Sequence, residues 1–415
     1  MLTDSLGNAL TTADPRTAQA IADFVDGFLS YETKAINVLA AAEADASDCL
    51  ANAYASFLWM FSEADGAEAS AAPFARRADA ARERASERER FAADAALSWS
   101  GGDLAGAERA CLAGIEAFPR DLALLKLYQY LRFNEGDSPA MLRAAQRCYA
   151  HNRDVAYMHG MIAFAYEQCH ELAAAEQAAR DALAIKHKEP WAQHALAHVM
   201  LTQGRIEEGA AFLTSVRPTW TDLNSFMDTH LWWHLALFDL SLGRFDEVVR
   251  IYDEHVWAQE KDYSQDQVGA VSLLARMEFA DIDVGDRWTD LAAYLVKRTR
   301  DTVNPFLSLQ YLFGLARAGR REEAADLLDA IATAANNGGA WAEVGLPAAQ
   351  ALMAYADGAY AEAAEGLAAV LPRMYRAGGS HAQRDLFDLI RLEALIRAGE
   401  AEAESADRRM GRSTT

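Results

Sequence analysis

Residues 170–204 read HELAAAEQAARDALAIKHKEPWAQHALAHVMLTQG, and the pattern of this stretch decides the fold. Alanine and leucine recur at helical spacing from Leu172 to Ile185, as expected of an amphipathic helix. Pro190 closes that unit, and a second helical run leads up to Gly204. Glycine there suits the left-handed turn that ends one helix and lets the next fold back. His170 and Gly204 stand 34 residues apart, and the same step leads back to Gly136 and Gly102. Each of the four positions follows an apolar helical run and precedes an Ala-rich one, namely Leu104–Phe118, Met141–Ala150, Leu172–Ile185 and Ile206–Val216. Gly243, Gly319, Gly358 and Gly399 extend the punctuation at intervals of mostly 39–41 residues, with room for one further turn near Gly285. A fixed period of this size marks stacked helix–turn–helix units, each unable to bury its apolar face alone.

Outward from that core, the N-terminal part reads differently. Residues 1–13 read as a loose start, and Asp14-Pro15 as an N-cap with proline at the first helical position. Helical periodicity runs from Arg16 to about Glu63, Asp65–Pro73 reads as a connector, and the charged run Arg76–Arg90 reads as a solvated helix face. The expected division is an N-terminal helical section over 1–87, helical repeats over 88–399, and a capping helix with a tail over 400–415. The expected fold is all-α, a superhelix of about eight helical hairpins (an α-solenoid).

The chain has 415 residues and a net charge of −22. Such a field repels phosphate backbones and anionic lipid, which disfavours nucleic-acid and membrane partners and suits cationic ones. Cys49, Cys111, Cys148 and Cys169 form no C-x-x-C pair and read as reduced, mostly buried thiols. With no signal-peptide pattern and no long apolar run, a cytoplasmic location is expected.

Two histidine motifs hold the candidate chemistry, His194-Ala-Leu-Ala-His198 and His230-Leu-Trp-Trp-His234. Spacing of i, i+4 puts both rings of a pair on one helical face. Trp191 extends the first stripe, and Trp233 lies beside the second. Three readings of the four rings stand open. They are hydrogen-bonded interior residues, or they line a pocket for a polar ligand, or they chelate a divalent transition metal such as zinc, nickel or iron. Glu167, Glu207, Asp228 and Asp239 are carboxylates able to ligate or orient a ring. Gly160, at the place matching His194 in the preceding unit, is expected to leave a pocket open. Gly378-Gly-Ser-His-Ala-Gln-Arg-Asp385 opens a helix with capping-box spacing between Ser380 and Gln383. Arg384 and His381 there are candidate ligand residues, either as a site for an anion or to close the histidine pocket. No P-loop, dinucleotide fingerprint, H-E-x-x-H or G-x-S-x-G pattern occurs, which disfavours nucleotide enzymes and serine hydrolases.

The helix–turn–helix period, with alanine five residues past the turn (Ala107, Ala175), resembles the tetratricopeptide repeat. Trp191–His198, His230–Leu237, Ile251-Tyr-Asp-Glu-His255, Val344-Gly-Leu-Pro347 and Gly378–Asp385 together resemble the tetratricopeptide repeat protein 38 family across nearly the whole chain. That resemblance implies an intracellular repeat protein without a defined activity. It also implies histidines near three further positions, occupied here by Ala92, Gln129 and Gln310. The functional expectation is a small or extended polar ligand in a histidine-lined pocket formed by Trp191, His194, His198, His230, Trp233, His234, His381 and Arg384. A metal-assisted or histidine-based hydrolase or lyase is one form of it, and whether the chain is catalytic stays open. The alternative is a scaffold that binds a partner peptide.

Overall fold

The computed structural model describes residues 1–400, in which 21 α-helices are joined by short turns and 3-10 or π segments. Strand pairing among the described residues is confined to two isolated bridges, Thr3–Ala9 and Glu32–Leu223. The fold is all-α, built of consecutive helical hairpins. Eight hairpins follow one another from Glu87–Ser100 with Leu104–Ala117 to Leu346–Ala356 with Tyr360–Val370, and His381–Arg397 comes last. The capping helix expected beyond Glu400 lies outside the described residues.

The turns show why the 34-residue step was readable. Gly102, Gly136 and Gly204 take φ of 78°, 75° and 68°, and His170 takes 59° in the equivalent place. At His170 the Glu171 amide reaches back to the Tyr166 carbonyl at 2.9 Å, so carbonyls left over at the helix end are satisfied. Side-chain caps start several of the helices. Asp14 accepts from the Arg16 amide ahead of Pro15, Asp137 from Ala140, and Asn304 from Leu307.

Two compact units emerge from the contacts. One comprises Met1–Phe133, Asp137–Leu196 and Pro218–Asn224, and the other Asn134–Gly136, Ala197–Arg217 and Ser225 onward. The division falls inside the Pro190–Thr202 helix, which itself is unbroken.

In the first unit three expectations need correction. Residues 1–13 are pinned rather than loose. The Asp4 carboxylate takes the Asn8 amide at 2.9 Å, the Ala9 carbonyl accepts from Arg88 at 3.1 Å, and Leu10 is buried. The connector expected over Asp65–Pro73 is instead mostly helix, Ala67–Ala81, with Pro73 inside it. The run of alanine around Pro73 outweighs the one amide that proline removes. The Arg76–Arg90 run is not uniformly solvated. Arg88 is buried, 2.8 Å from Asp121 and 3.7 Å from Asp4, and Glu89 closes a capping box with Ser86. Paired and bonded in this way, charges can leave water.

Candidate functional site

The site is built on two helices, Pro190–Thr202 and Ser225–Ser241, each the first member of its hairpin. Their i, i+4 spacing places His194 with His198, and His230 with His234, on single faces. The ring nitrogens of His194, His198, His230 and His234 offer one atom each within 4.8 Å of one another. The His198 and His234 ring centroids are 4.6 Å apart, and those of His230 and His234 are 4.7 Å apart and edge-on. All four residues are buried, at 1, 1, 8 and 0% exposure in sequence order. His381 does not enter this set.

Aromatic rings fix the imidazole planes. In the second unit His230 is sandwiched between Phe226 at 5.2 Å and Trp233 at 5.3 Å, the latter within 7° of parallel. Burial, and then the neighbouring His198, pushes His230 down to about 3, so the ring is neutral across the physiological range. In the first unit Trp191 stacks on His194 at 4.4 Å and on Tyr31 at 5.1 Å, while Phe164 tilts against both Trp191 and His194. Trp232 faces elsewhere, stacked on His255 at 3.6 Å.

The space expected beside His194 is filled. A Cβ on Gly160 would lie 2.8 Å from the Glu189 carboxylate, so this glycine makes room for a carboxyl group and opens no pocket. Glu189 is wholly buried, accepts from the Ala192 amide at the helix start, and is pushed up to about 8 by desolvation. Among the described residues, the ligand atoms that lie within 4.8 Å of one another belong to the four imidazoles. Asp239 pairs with Arg244 at 3.0 Å, Asp228 accepts from the Gln259 amide, and Glu167 accepts from Gln168 at 2.5 Å. Glu207 opens the Ile206–Val216 helix. Arg384 donates to the Gly379 carbonyl and approaches His381 Nδ1 at 3.2 Å, so much of its fork serves its own loop. Ser380 and Gln383 form the reciprocal capping box that their spacing suggested.

Several residues escaped sequence reasoning. Arg276 is 1% exposed, donates to Ser272 Oγ at 2.5 Å and to the Ala382 carbonyl at 2.9 Å, and lies over Trp233 at 5.5 Å. Desolvation brings it down to about 10. Its signal was a lone arginine in the otherwise apolar run Val268–Met277. Asp266 accepts from Thr229 at 3.0 Å, and Gln193 receives the Trp220 indole N–H at 2.8 Å. Gln129, where the family resemblance implied a histidine, donates to the carbonyls of Met141 and Met161, both at 3.4 Å.

Fold and site together define an all-α protein of consecutive helical hairpins with a buried four-histidine cluster. No family model matches the sequence. The chain is similar to the Rap protein complexed with competence and sporulation factor, at 11% identity and a TM-score of 0.40, over 83% of this chain and 99% of that one. It is also similar to Naa15/Naa10 bound to HypK-THB, at 13% identity and a TM-score of 0.27, over 96% of this chain and 68% of that one. For the tetratricopeptide domain of P58(IPK) the values are 11% and 0.23, over 77% and 100%. TM-scores this low transfer no function. No helix among the described residues is long and apolar enough to cross a membrane.

Proposed function

We propose that this chain is a partner-binding scaffold of the tetratricopeptide type rather than a small-molecule hydrolase or lyase. The observation that carries the reading is the burial of the histidines. His194, His198 and His234 are at most 1% exposed, their rings pack on aromatic walls, and Glu189 fills the gap left by Gly160. The four histidines at the centre of the expected ligand pocket, with Trp233, therefore form part of the packed interior, while Trp191, His381 and Arg384 are half-buried. What a hairpin array offers beyond that interior is helix surface for a protein segment. The net charge of −22 favours a basic segment, because a field of that sign speeds encounter with cations and repels anions. Within the tetratricopeptide class, the five sequence blocks support a place beside the tetratricopeptide repeat protein 38 family.

The test has two stages. Cross-linking in the native cell names the partner, and calorimetry with the purified full-length chain measures direct binding at low and high salt. Micromolar or tighter binding that weakens with salt is expected. The reading fails if no protein partner binds directly while a small carboxylate or phosphate compound binds and is lost in His198→Gln.

A further inference from the structure

We propose that His194, His198, His230 and His234 form a closed, structural binding site for one nitrogen-preferring divalent transition ion, with zinc as the reference ion. The inference rests on the convergence of four imidazoles from two helices, not on the fold. Their candidate ligand atoms already lie within 4.8 Å of one another. Four nitrogens bound tetrahedrally at ~2.1 Å stand about 3.4 Å apart. The longest separation must therefore close by about 1.4 Å, roughly 0.7 Å per ring, a shift that small side-chain rotations supply. The stacked planes of Trp191 on His194 and Trp233 on His230 restrict the rings to few orientations, so little ordering remains when an ion arrives.

The donor set defines the ion. It contains imidazoles alone, with no carboxylate and no thiolate in the group. Magnesium, calcium and manganese prefer oxygen ligands, while zinc, nickel and copper accept imidazole. With four protein ligands the coordination shell is complete, which is the mark of a structural site; a catalytic one keeps a position for water. The ion would tie the Pro190–Thr202 helix to the Ser225–Ser241 helix, the first helices of consecutive hairpins. Its role is to fix these two helices, and it supplies no reaction. This inference is independent of the scaffold reading, since a scaffold with no ion and an ion site with no partner are both conceivable outcomes.

The experiment uses the full-length chain, stripped by chelator and dialysed against one equivalent of zinc. X-ray absorption at the zinc edge reads the first shell directly. Four imidazole nitrogens are expected, together with retention of about one ion per chain after gel filtration. Thermal unfolding should shift upward by several degrees relative to the stripped protein, as any ligand of the native state requires. His234→Gln and His198→Gln should each lower affinity at least tenfold while the helical circular-dichroism signal is kept. The absorption measurement needs no variant, so a variant that fails to fold leaves the test standing. Fewer than four imidazoles in the shell, retention below a tenth of an equivalent, or affinity unchanged in folded variants overturns the proposal. A magnesium control should show no retention.

Discussion

Replacing Glu189 by glutamine should stabilise the protein at neutral and alkaline pH and do little in acid. Glu189 has no exposed surface, and its carboxyl is pushed from an ordinary 4.5 up to about 8 by desolvation. The hydrogen bond from Ala192 and the charges of Lys186 and Lys126 pull it back only in part. An acid raised in the folded state favours its neutral form there. Its contribution is therefore fully present below pH 4.5 and is lost as pH rises through 8. At pH 7 the folded chain must keep a proton that the unfolded chain has released, across 2.5 pH units from the ordinary value of 4.5. At 1.36 kcal/mol per unit this costs about 3 kcal/mol. Glutamine keeps an oxygen for the Ala192 amide and carries no charge to desolvate. Urea unfolding of parent and Glu189→Gln, followed by tryptophan fluorescence at half-unit steps from pH 4 to 8.5, isolates the effect because other titrating groups cancel in the difference. The variant should gain about 3 kcal/mol relative to the parent between pH 4 and pH 7. A difference that is flat with pH, or that favours the parent as pH rises, would refute the account of Glu189 as a buried neutral acid.

Other expectations follow from single contacts. Arg88→Met leaves Asp121 and Asp4 buried without their cation and should cost about 3–5 kcal/mol in chemical denaturation. Gly209→Ala drives a Cβ to 2.3 Å from the buried Phe238 ring and should lower stability by about 1–3 kcal/mol. Gly269→Ala, inside the Ser264–Phe279 helix with nothing within 4 Å, should instead raise stability by about 0.5–1 kcal/mol. Paired melting curves decide whether the two glycine substitutions separate in sign. His170→Gly relieves the left-handed backbone at φ 59° and should raise the melting temperature slightly, whereas His170→Val should lower it.

The hairpin architecture was legible in the sequence because it depends on local chemistry. A left-handed turn prefers glycine, helices begin at Asp or Asn followed by Pro, and apolar residues recur at helical spacing. Gly102, Gly136 and Gly204 therefore marked their turns directly, and the place in the period revealed His170 as their equivalent. Half of the site was legible for the same reason, since i, i+4 spacing puts each pair of histidines on one face. What the pairs face was decided only by tertiary packing. Helices whose residues are more than thirty positions apart bring His198 against His234, and no local rule contains that contact. The same holds for the corrections. Gly160 signalled empty space in sequence, but Glu189, 29 residues later, fills it. Arg88 read as part of a solvated helix face, and Arg276 drew no reading, until Asp121 and the Ala382 carbonyl, distant in the chain, were placed beside them. Burial depends on neighbours supplied by the whole fold. The sequence by itself determined which faces exist and where they turn; the tertiary structure decided which faces meet, and so which histidines share one site.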